Sequence, residues 1–313
     1  MVRDNLLFAG IMPKSSRISL ISLDEDLNQK KEELVLNSNF EHTEIASAYN
    51  GDEPFLLTLS KDRSGKQYLL SHTLDGKVEE FHRVLDENDR KIHLRSLFVD
   101  RETNSIYASD GKNVYDFNSN GLLIGKHPVS GIPVSYAKLD GSLLIGNHGG
   151  ELFHNWKNVA NAGNKSPTRL CVFDKKLYVV NSRLANSRKE PEGLVILDIP
   201  NFKRNETELK KFEYLEVRDL IEREGKLIGC GYETVFQMDP KDNSIKVKKI
   251  EGLRGYLDTF IPVKVGKREV LFYLNGNHHL GNTDFDFSKG TEEAKTVDDT
   301  WFTGLTNIIK KNK

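Results

Sequence analysis

The sequence predicts an all-β protein made of about seven similar units within one domain. A two-part pattern recurs roughly every 45 residues along the 313-residue chain. In each copy, an apolar run ends in a small turn-forming residue, and a second apolar run then ends at Asp or Asn. No Pro/Gly/Ser-rich linker or block of charge interrupts the pattern. We therefore expect a single domain over residues 1–313.

The residue that ends each apolar run makes the pattern easiest to follow. LLFAG ends at Gly10 and LYVVN at Asn181, and the second runs of the same two units end at Asp24 and Asp198. The other first runs end at Ser60, Asp110, Asn147, Gly231 and Asn275. Two short β runs joined by a tight turn, at this period, predict the four-stranded antiparallel blades of a β-propeller.

The two ends of the chain are expected to share one blade. The N-terminus begins with a second strand, and TWFTGLTNIIKK (300–311) has the composition of a strand with no partner after it. We expect this C-terminal inner strand to join the N-terminal strands and so leave no open edge. The count is then seven four-stranded blades. Six is the runner-up, if the irregular fourth unit around ELFHNWKNV (151–159) is absorbed by its neighbour.

The repeat units also resemble those of a known superfamily. IYASDGKNVYDFNSNG (106–121) is similar to the repeats of NHL, YVTN and gluconolactonase-like β-propellers. The Gly-His and Trp-Asp signatures of WD40 repeats and the paired glycines of kelch repeats do not occur. The resemblance covers the whole chain and identifies no single subfamily. It implies a rigid ring of blades with function on the loops.

Composition and charge argue against several classes of partner. The formal net charge of −1 offers no basic field for a nucleic acid. The run IKVKK (245–249) predicts an outer strand with Lys246 and Lys248 on a solvated face. There is no signal peptide and no apolar run long enough to span a membrane. Cys171 and Cys230 lie in apolar runs and are expected to be buried free thiols. We therefore predict a soluble cytoplasmic monomer.

Candidate ligand-binding residues lie in the loops expected at one face of the propeller. The long insertion 182–193 is basic, and loops of this length are often functional. Arginine and aromatic residues at such a rim are typical of protein-binding hot spots. The candidates are Arg183, Arg188, Arg254, Tyr256, His278, His279 and Trp301. Other histidines near this face, such as His42, are expected to be ordinary polar loop residues.

A metal site is the alternative interpretation of the same face. Gluconolactonase-like propellers hold a divalent cation with Glu, Asn and Asp oxygens, and the resemblance implies a comparable set in Asp110, Asn147, Asn181 and Asn275. These positions also suit a tight turn, since Gly10, Ser60 and Gly231 occupy the equivalent places.

Catalytic motifs are absent from the sequence. It contains no Gly-x-Ser-x-Gly, no HExxH and no CxxC. The favoured prediction is a non-catalytic propeller, without a cofactor, that binds a protein or other macromolecule. The alternative is a metal-dependent small-molecule hydrolase or lactonase-like enzyme with a cation, such as Ca²⁺, in the central channel.

Overall fold

The computed structural model describes most of the chain. The residues described are 6–11, 17–23, 29–35, 40–50, 53–74, 78–83, 92–100, 103–118, 121–163, 166–181, 193–212, 215–239, 241–242, 244–253, 255–265, 268–275, 280–288, 290–293, 295–298 and 304–307.

The first part of the chain forms eleven strands. They are β1 (Leu6–Ile11), β2 (Arg17–Leu23), β3 (Gln29–Val35), β4 (Phe40–Asn50), β5 (Glu53–Asp62), β6 (Gln67–His72), β7 (Val78–Arg83), β8 (Ser96–Asp100), β9 (Ser105–Ser109), β10 (Asn113–Phe117) and β11 (Leu123–Pro128).

The next part contains twelve strands and one short helical segment. The strands before the helix are β12 (Pro133–Leu139), β13 (Ser142–Asn147), β14 (Glu151–His154), β15 (Lys157–Asn161), β16 (Pro167–Phe173), β17 (Lys176–Asn181), β18 (Leu194–Asp198) and β19 (Lys203–Arg204). The helix α1 (Glu206–Leu209) runs into a 3-10 turn, Lys210–Phe212. After it come β20 (Asp219–Arg223), β21 (Lys226–Cys230), β22 (Thr234–Asp239) and β23 (Ser244–Glu251).

The last strands complete two sheets and add to a third. They are β24 (Leu257–Val265), β25 (Arg268–Asn275), β26 (Leu280–Asp284), β27 (Thr291–Glu293), β28 (Lys295–Asp298) and β29 (Gly304–Asn307).

The strands form successive antiparallel sheets of the kind that make up propeller blades. Six sheets have four strands, in the orders β29-β1-β2-β3, β4-β5-β6-β7, β8-β9-β10-β11, β12-β13-β14-β15, β16-β17-β18-β19 and β24-β25-β26-β28. One further sheet has five strands, in the order β20-β21-β22-β23-β27. The β-propeller fold predicted from the repeat is therefore confirmed. The prediction of seven four-stranded blades is wrong, because only six of the described sheets have four strands, which is the runner-up number, while β27 adds a fifth strand to the remaining sheet.

The irregular fourth unit of the sequence is a complete sheet. Its strands β14 and β15 are joined by Asn155 and Trp156, whose φ angles are 50° and 64°. Two consecutive positive φ values are those of a type I′ hairpin turn, which matches the natural twist of paired strands. The unit therefore keeps its four strands although it lacks the Asp that ends the equivalent run elsewhere.

Strands β1 and β29, which are far apart in the sequence, pair with each other. Strand β29 lies antiparallel to β1, and Phe8 is opposite Asn307 while Ile11 is opposite Gly304. The C-terminal strand thus takes the innermost position of a sheet whose other members are β1, β2 and β3.

The outer strand β23 departs from the sequence prediction. The side chain of Lys248 was expected to be solvated, but its residue is fully buried. The reason is β27, which pairs in parallel with Lys249, Ile250 and Glu251 and covers this edge. Glu292 of β27 forms an ion pair with Lys248, whose Nζ also donates to the carbonyl oxygen of Asp284 at 3.0 Å. The edge is therefore protected by a fifth strand rather than by a solvated lysine.

The chain divides into two compact units. One contains residues 1–130, 263–268 and 300–313, and the other contains residues 131–262 and 269–299. Each has its own apolar clusters: Leu59, Leu69 and Ile106 are fully or almost fully buried in the first, as are Tyr178 and Phe236 in the second. The single domain over 1–313 stays a prediction. No helix in the described part of the chain is long and apolar enough to cross a membrane.

Candidate functional site

Three side chains of the second unit form the most prominent aromatic and cationic feature of the described surface. We call Arg218, Tyr232 and Tyr256 the Tyr232 cluster. The two tyrosine rings meet edge to face, with 5.2 Å between their centroids. The guanidinium carbon of Arg218 lies 3.9 Å from the centroid of the Tyr256 ring. Tyr232 is 47% exposed, whereas the other two residues are partly buried.

The backbone holds the two tyrosines in place. Tyr232 follows β21 and Tyr256 precedes β24, and the two residues form an isolated antiparallel bridge. Next to it, the amide of Leu257 donates to the carbonyl oxygen of Gly231 at 3.0 Å. These backbone contacts connect two neighbouring sheets and fix the main chain at both tyrosines, which lowers the entropy that the main chain loses when a ligand binds.

Close packing around Gly231 positions the arginine. A β-carbon at Gly231 would lie 1.7 Å from the carbonyl oxygen of Glu216, so only glycine fits there. Arg218 lies two residues after Glu216, and its amide donates to the carbonyl oxygen of Cys230 at 2.7 Å. This close approach places the Arg218 guanidinium over the Tyr256 ring. A cation in this position is attracted by the negative face of the ring.

A buried carboxylate next to Arg218 links three inner strands. Asp219 of β20 accepts hydrogen bonds from Nε and Nη2 of Arg169 in β16, the latter at 2.8 Å. It also accepts from Oγ1 of Thr259 in β24 at 2.7 Å and from the amide of Phe260 at 3.2 Å. The negative charge of Asp219 raises the pKa of Arg169. The two charges are paired with each other, so we interpret this group as a brace between strands rather than as a binding site.

The Tyr232 cluster is suited to binding rather than to covalent chemistry. It offers one exposed aromatic ring, a second ring behind it and a partly desolvated cation. Arginine and tyrosine are the residue types most enriched at protein-binding hot spots. An exposed tyrosine supplies a large contact area and a hydroxyl group at a low entropic cost.

Only one of the predicted ligand-binding residues lies in the described part of the chain. Tyr256 is part of the Tyr232 cluster, and its role in ligand binding stays a prediction. Arg183, Arg188, Arg254, His278, His279 and Trp301 lie outside the described residues. Arg218 and Tyr232 were missed by the sequence analysis: Arg218 directly precedes β20, and Tyr232 lies in the loop between β21 and β22.

The four predicted metal ligands occupy the predicted ends of strands. Asn147, Asn181 and Asn275 are the last residues of β13, β17 and β25, and Asp110 directly follows β9. Asp110 belongs to the first compact unit and the three asparagines to the second. Among the described residues, no group of three or more His, Cys, Asp or Glu side chains could hold a metal ion.

Hydrogen bonds at two of these positions are those of tight turns. Oδ1 of Asp110 accepts from the amides of Lys112 and Asn113, at 2.8 and 2.7 Å. Oδ1 of Asn147 accepts from the amides of Gly149 and Glu151, at 3.0 and 2.9 Å. Both side chains therefore stabilise the turn that follows their strand. This is the role in a tight turn that the sequence analysis gave as the alternative to a metal site. The metal interpretation stays a prediction.

His42 has a different environment from the one expected. It is buried in β4 rather than lying in a polar loop, and its Nδ1 is 2.7 Å from Oγ of Ser60. Ser60 Oγ is 2.9 Å from Oγ1 of Thr58, which is 2.7 Å from Nε2 of His72. All four residues are almost completely buried. Burial, assisted by the nearby His42, lowers the pKa of His72 to about 3.

This His–Ser–Thr–His network is a structural element of one blade. Its serine is fully buried, so a substrate has no access to the hydroxyl group. No sequence motif indicates this network, because its members come from three different strands.

Comparison with solved structures places the chain among β-propellers. Dihydro-heme d1 dehydrogenase NirN, in complex with DHE, is 13% identical over 96% of this chain and 67% of its own, with a TM-score of 0.57. BBS1N, in complex with ARL6DN, is 12% identical over 90% of this chain and 97% of its own, with a TM-score of 0.55. The computationally designed Ika8 protein covers 85% of this chain and 90% of its own at 10% identity, with a TM-score of 0.50.

These similarities support the fold alone. No protein-family model matches the chain, and no curated protein sequence matches it.

Proposed function

We propose that this protein is a non-catalytic β-propeller scaffold that binds another protein through the Tyr232 cluster. The observation that supports the proposal is the exposed Tyr232 ring, which is backed by Tyr256 and by the cation of Arg218. A rigid aromatic pair with an adjacent arginine is the usual composition of a protein-binding hot spot. We further propose that the protein acts as a cytoplasmic monomer and that β29 and β1 complete a blade shared by the two chain ends.

A structural neighbour agrees with this type of function. The BBS1N structure contains a second protein, ARL6DN. At 12% identity the similarity extends to the fold and not to the partner. It serves here only as an example of a propeller with a protein ligand.

Affinity capture with matched variants tests the proposal. The wild-type protein, the double variant Tyr232→Ser/Arg218→Ala and the control Val247→Ser are used as bait in the same lysate. Val247 is 40% exposed and lies on the outer strand β23, away from the cluster in sequence. We expect a protein that the wild type and the control retain and that the double variant loses. Equal retention by all three baits would overturn the proposal, provided that all three unfold at similar temperatures.

The metal-dependent hydrolase remains the alternative prediction. Metal analysis of the purified protein, combined with thermal unfolding in Ca²⁺ and in a chelator, addresses it directly. A stoichiometric ion that stabilises the folded protein would favour this alternative.

A further inference from the structure

The outer strand β11 and the residue before it carry the most exposed of the large apolar side chains on the described surface. Leu122, immediately before the strand, is 57% exposed, and Ile124 within it is 61% exposed. Exposure alternates along the strand, so that Ile124, Lys126 and Pro128 face solvent while the residues between them are partly buried. Apolar groups this exposed, next to each other and bordered by polar ones, are typical of an interaction site.

Strand β11 is also the edge of its sheet. In the described part of the chain, the sheet ends at β11, which pairs only with β10. An edge strand turns part of its backbone N–H and C=O groups outward, where they can pair with another strand. Proteins usually prevent such pairing with charges or prolines. Here Lys126 and Pro128 protect only the second half of the strand, and Ile124 is unprotected.

Another sheet of the same protein shows how such an edge can be occupied. Strand β23 is the outer strand of its blade, and β27 adds to it as a fifth strand over three residues. The acidic side chain of Glu292 on the added strand forms an ion pair with Lys248 on β23. An outer strand with a lysine thus accepts an extended segment with a carboxylate.

We propose that β11 is a docking strand for an extended, acidic segment of a partner protein. The segment adds to the outer edge as a fifth strand, with main-chain hydrogen bonds to β11. An apolar side chain of the segment packs on Leu122 and Ile124, and a carboxylate two or more residues away pairs with Lys126. This surface lies in the first compact unit, and the proposal does not depend on the Tyr232 cluster.

The charge of the strand favours an acidic segment over a second copy of the same edge. Residues 121–130 (GLLIGKHPVS) contain Lys126 but no Asp or Glu. If two copies of β11 paired with each other, each lysine would meet a strand without a carboxylate. Like charges near each other across a strand pair are destabilising.

Selection from a phage-displayed library of random nine-residue peptides tests the proposal on the full-length protein. We expect the enriched peptides to combine an acidic residue with β-branched or aromatic residues at alternate positions. A synthetic peptide of the enriched sequence then serves as the probe in fluorescence anisotropy. It should slow amide hydrogen exchange within residues 122–128.

Three variants locate the binding site of that peptide. Ile124→Lys should weaken binding at least about tenfold, because an apolar contact is lost. Lys126→Glu should weaken it about two- to fivefold, as expected for a partly exposed ion pair. The control Val247→Lys, on strand β23 whose edge is already covered by β27, should leave the affinity unchanged.

Three results would overturn the proposal. The first is enrichment of peptides without acidic residues, and the second is equal binding to Ile124→Lys and to the wild type. The third is a wild-type dimer in analytical ultracentrifugation that Ile124→Lys dissociates, since β11 would then bind a second copy.

Discussion

Removal of the carboxylate of Glu292 should destabilise the protein far more than the loss of an ordinary surface ion pair. Lys248 is fully buried, and its ammonium group contacts the Glu292 carboxylate and the Asp284 carbonyl oxygen. Thr283 Oγ1 also donates to Glu292, at 2.7 Å. In Glu292→Ala, the buried ammonium group keeps only the carbonyl acceptor among these contacts. Breaking a buried pair from one side costs about 3–5 kcal/mol, because the remaining charge is not compensated.

Urea unfolding at pH 7 measures this loss. The matched control is Glu33→Ala, since Glu33 pairs with Arg17 at 2.9 Å but both side chains are well exposed. Its cost should be below about 1 kcal/mol. The double variant Lys248→Met/Glu292→Leu should recover most of the stability, because it removes both charges and keeps their volume. If Glu292→Ala costs no more than Glu33→Ala, our account of β27 as an electrostatically anchored strand is wrong.

Three further predictions concern buried groups. Burial lowers the pKa of His72 to about 3 in the folded protein, whereas its ordinary value of 6.5 applies to the unfolded chain. As the pH falls below 6.5, His72 therefore gains a proton in the unfolded chain but not in the folded protein. Stability should therefore fall by about 2 kcal/mol between pH 7 and 5 relative to a His72→Phe variant, and parallel pH profiles in urea titrations would contradict this. Gly231→Ala should lower the unfolding free energy by about 3 kcal/mol, because its β-carbon would overlap the Glu216 carbonyl oxygen; an unchanged urea midpoint would contradict the close packing. Asp219→Ala should cost about 1–3 kcal/mol by the same measurement, because Thr259 Oγ1 and the Phe260 amide lose their buried acceptor while the partly exposed Arg169 loses its ion pair; a cost near zero would show that the brace is not stabilising.

The repeat carried most of the information about the fold. A β run, a tight turn and a second β run recur along the chain. Each run has the residue pattern of a β-strand, because it must bury one face against a neighbouring sheet. Even the unit with the weakest pattern forms four strands, because Asn155 and Trp156 can adopt the positive φ angles of its hairpin. Such local requirements can be inferred from the sequence.

Contacts between distant segments could not be inferred in this way. The strand that covers β23 comes from the segment between β26 and β28, and each of its paired residues lies 42 positions after its partner in β23 (Lys249 and Thr291, for example). The sequence shows Lys248 in an alternating pattern on an outer strand but not that another strand lies over it. After β26 ends at Asp284, Phe285 and Phe287 pack edge to face, and Phe287 is buried in an apolar cluster.

The candidate site was only partly foreseen for a similar reason. Tyr256 could be chosen as a candidate because the sequence places this aromatic residue at a predicted blade junction. Arg218 and Tyr232 could not be identified as candidates from the sequence. Arg218 is a candidate because it lies over the Tyr256 ring, and Tyr232 because it forms a backbone bridge with Tyr256. Likewise, the buried histidine network depends on residues of β4, β5 and β6 that approach one another only in the folded blade.

Photocrosslinking from position 232 tests the central claim most directly. The photoreactive amino acid p-benzoylphenylalanine replaces Tyr232 in the intact protein, and Val247 is replaced in a control. Both proteins are irradiated in cells, and the crosslinked products are identified by mass spectrometry. Our account predicts that one protein is crosslinked from position 232 and not from position 247. If position 232 crosslinks no protein beyond the level seen from position 247, the Tyr232 cluster is not the binding site.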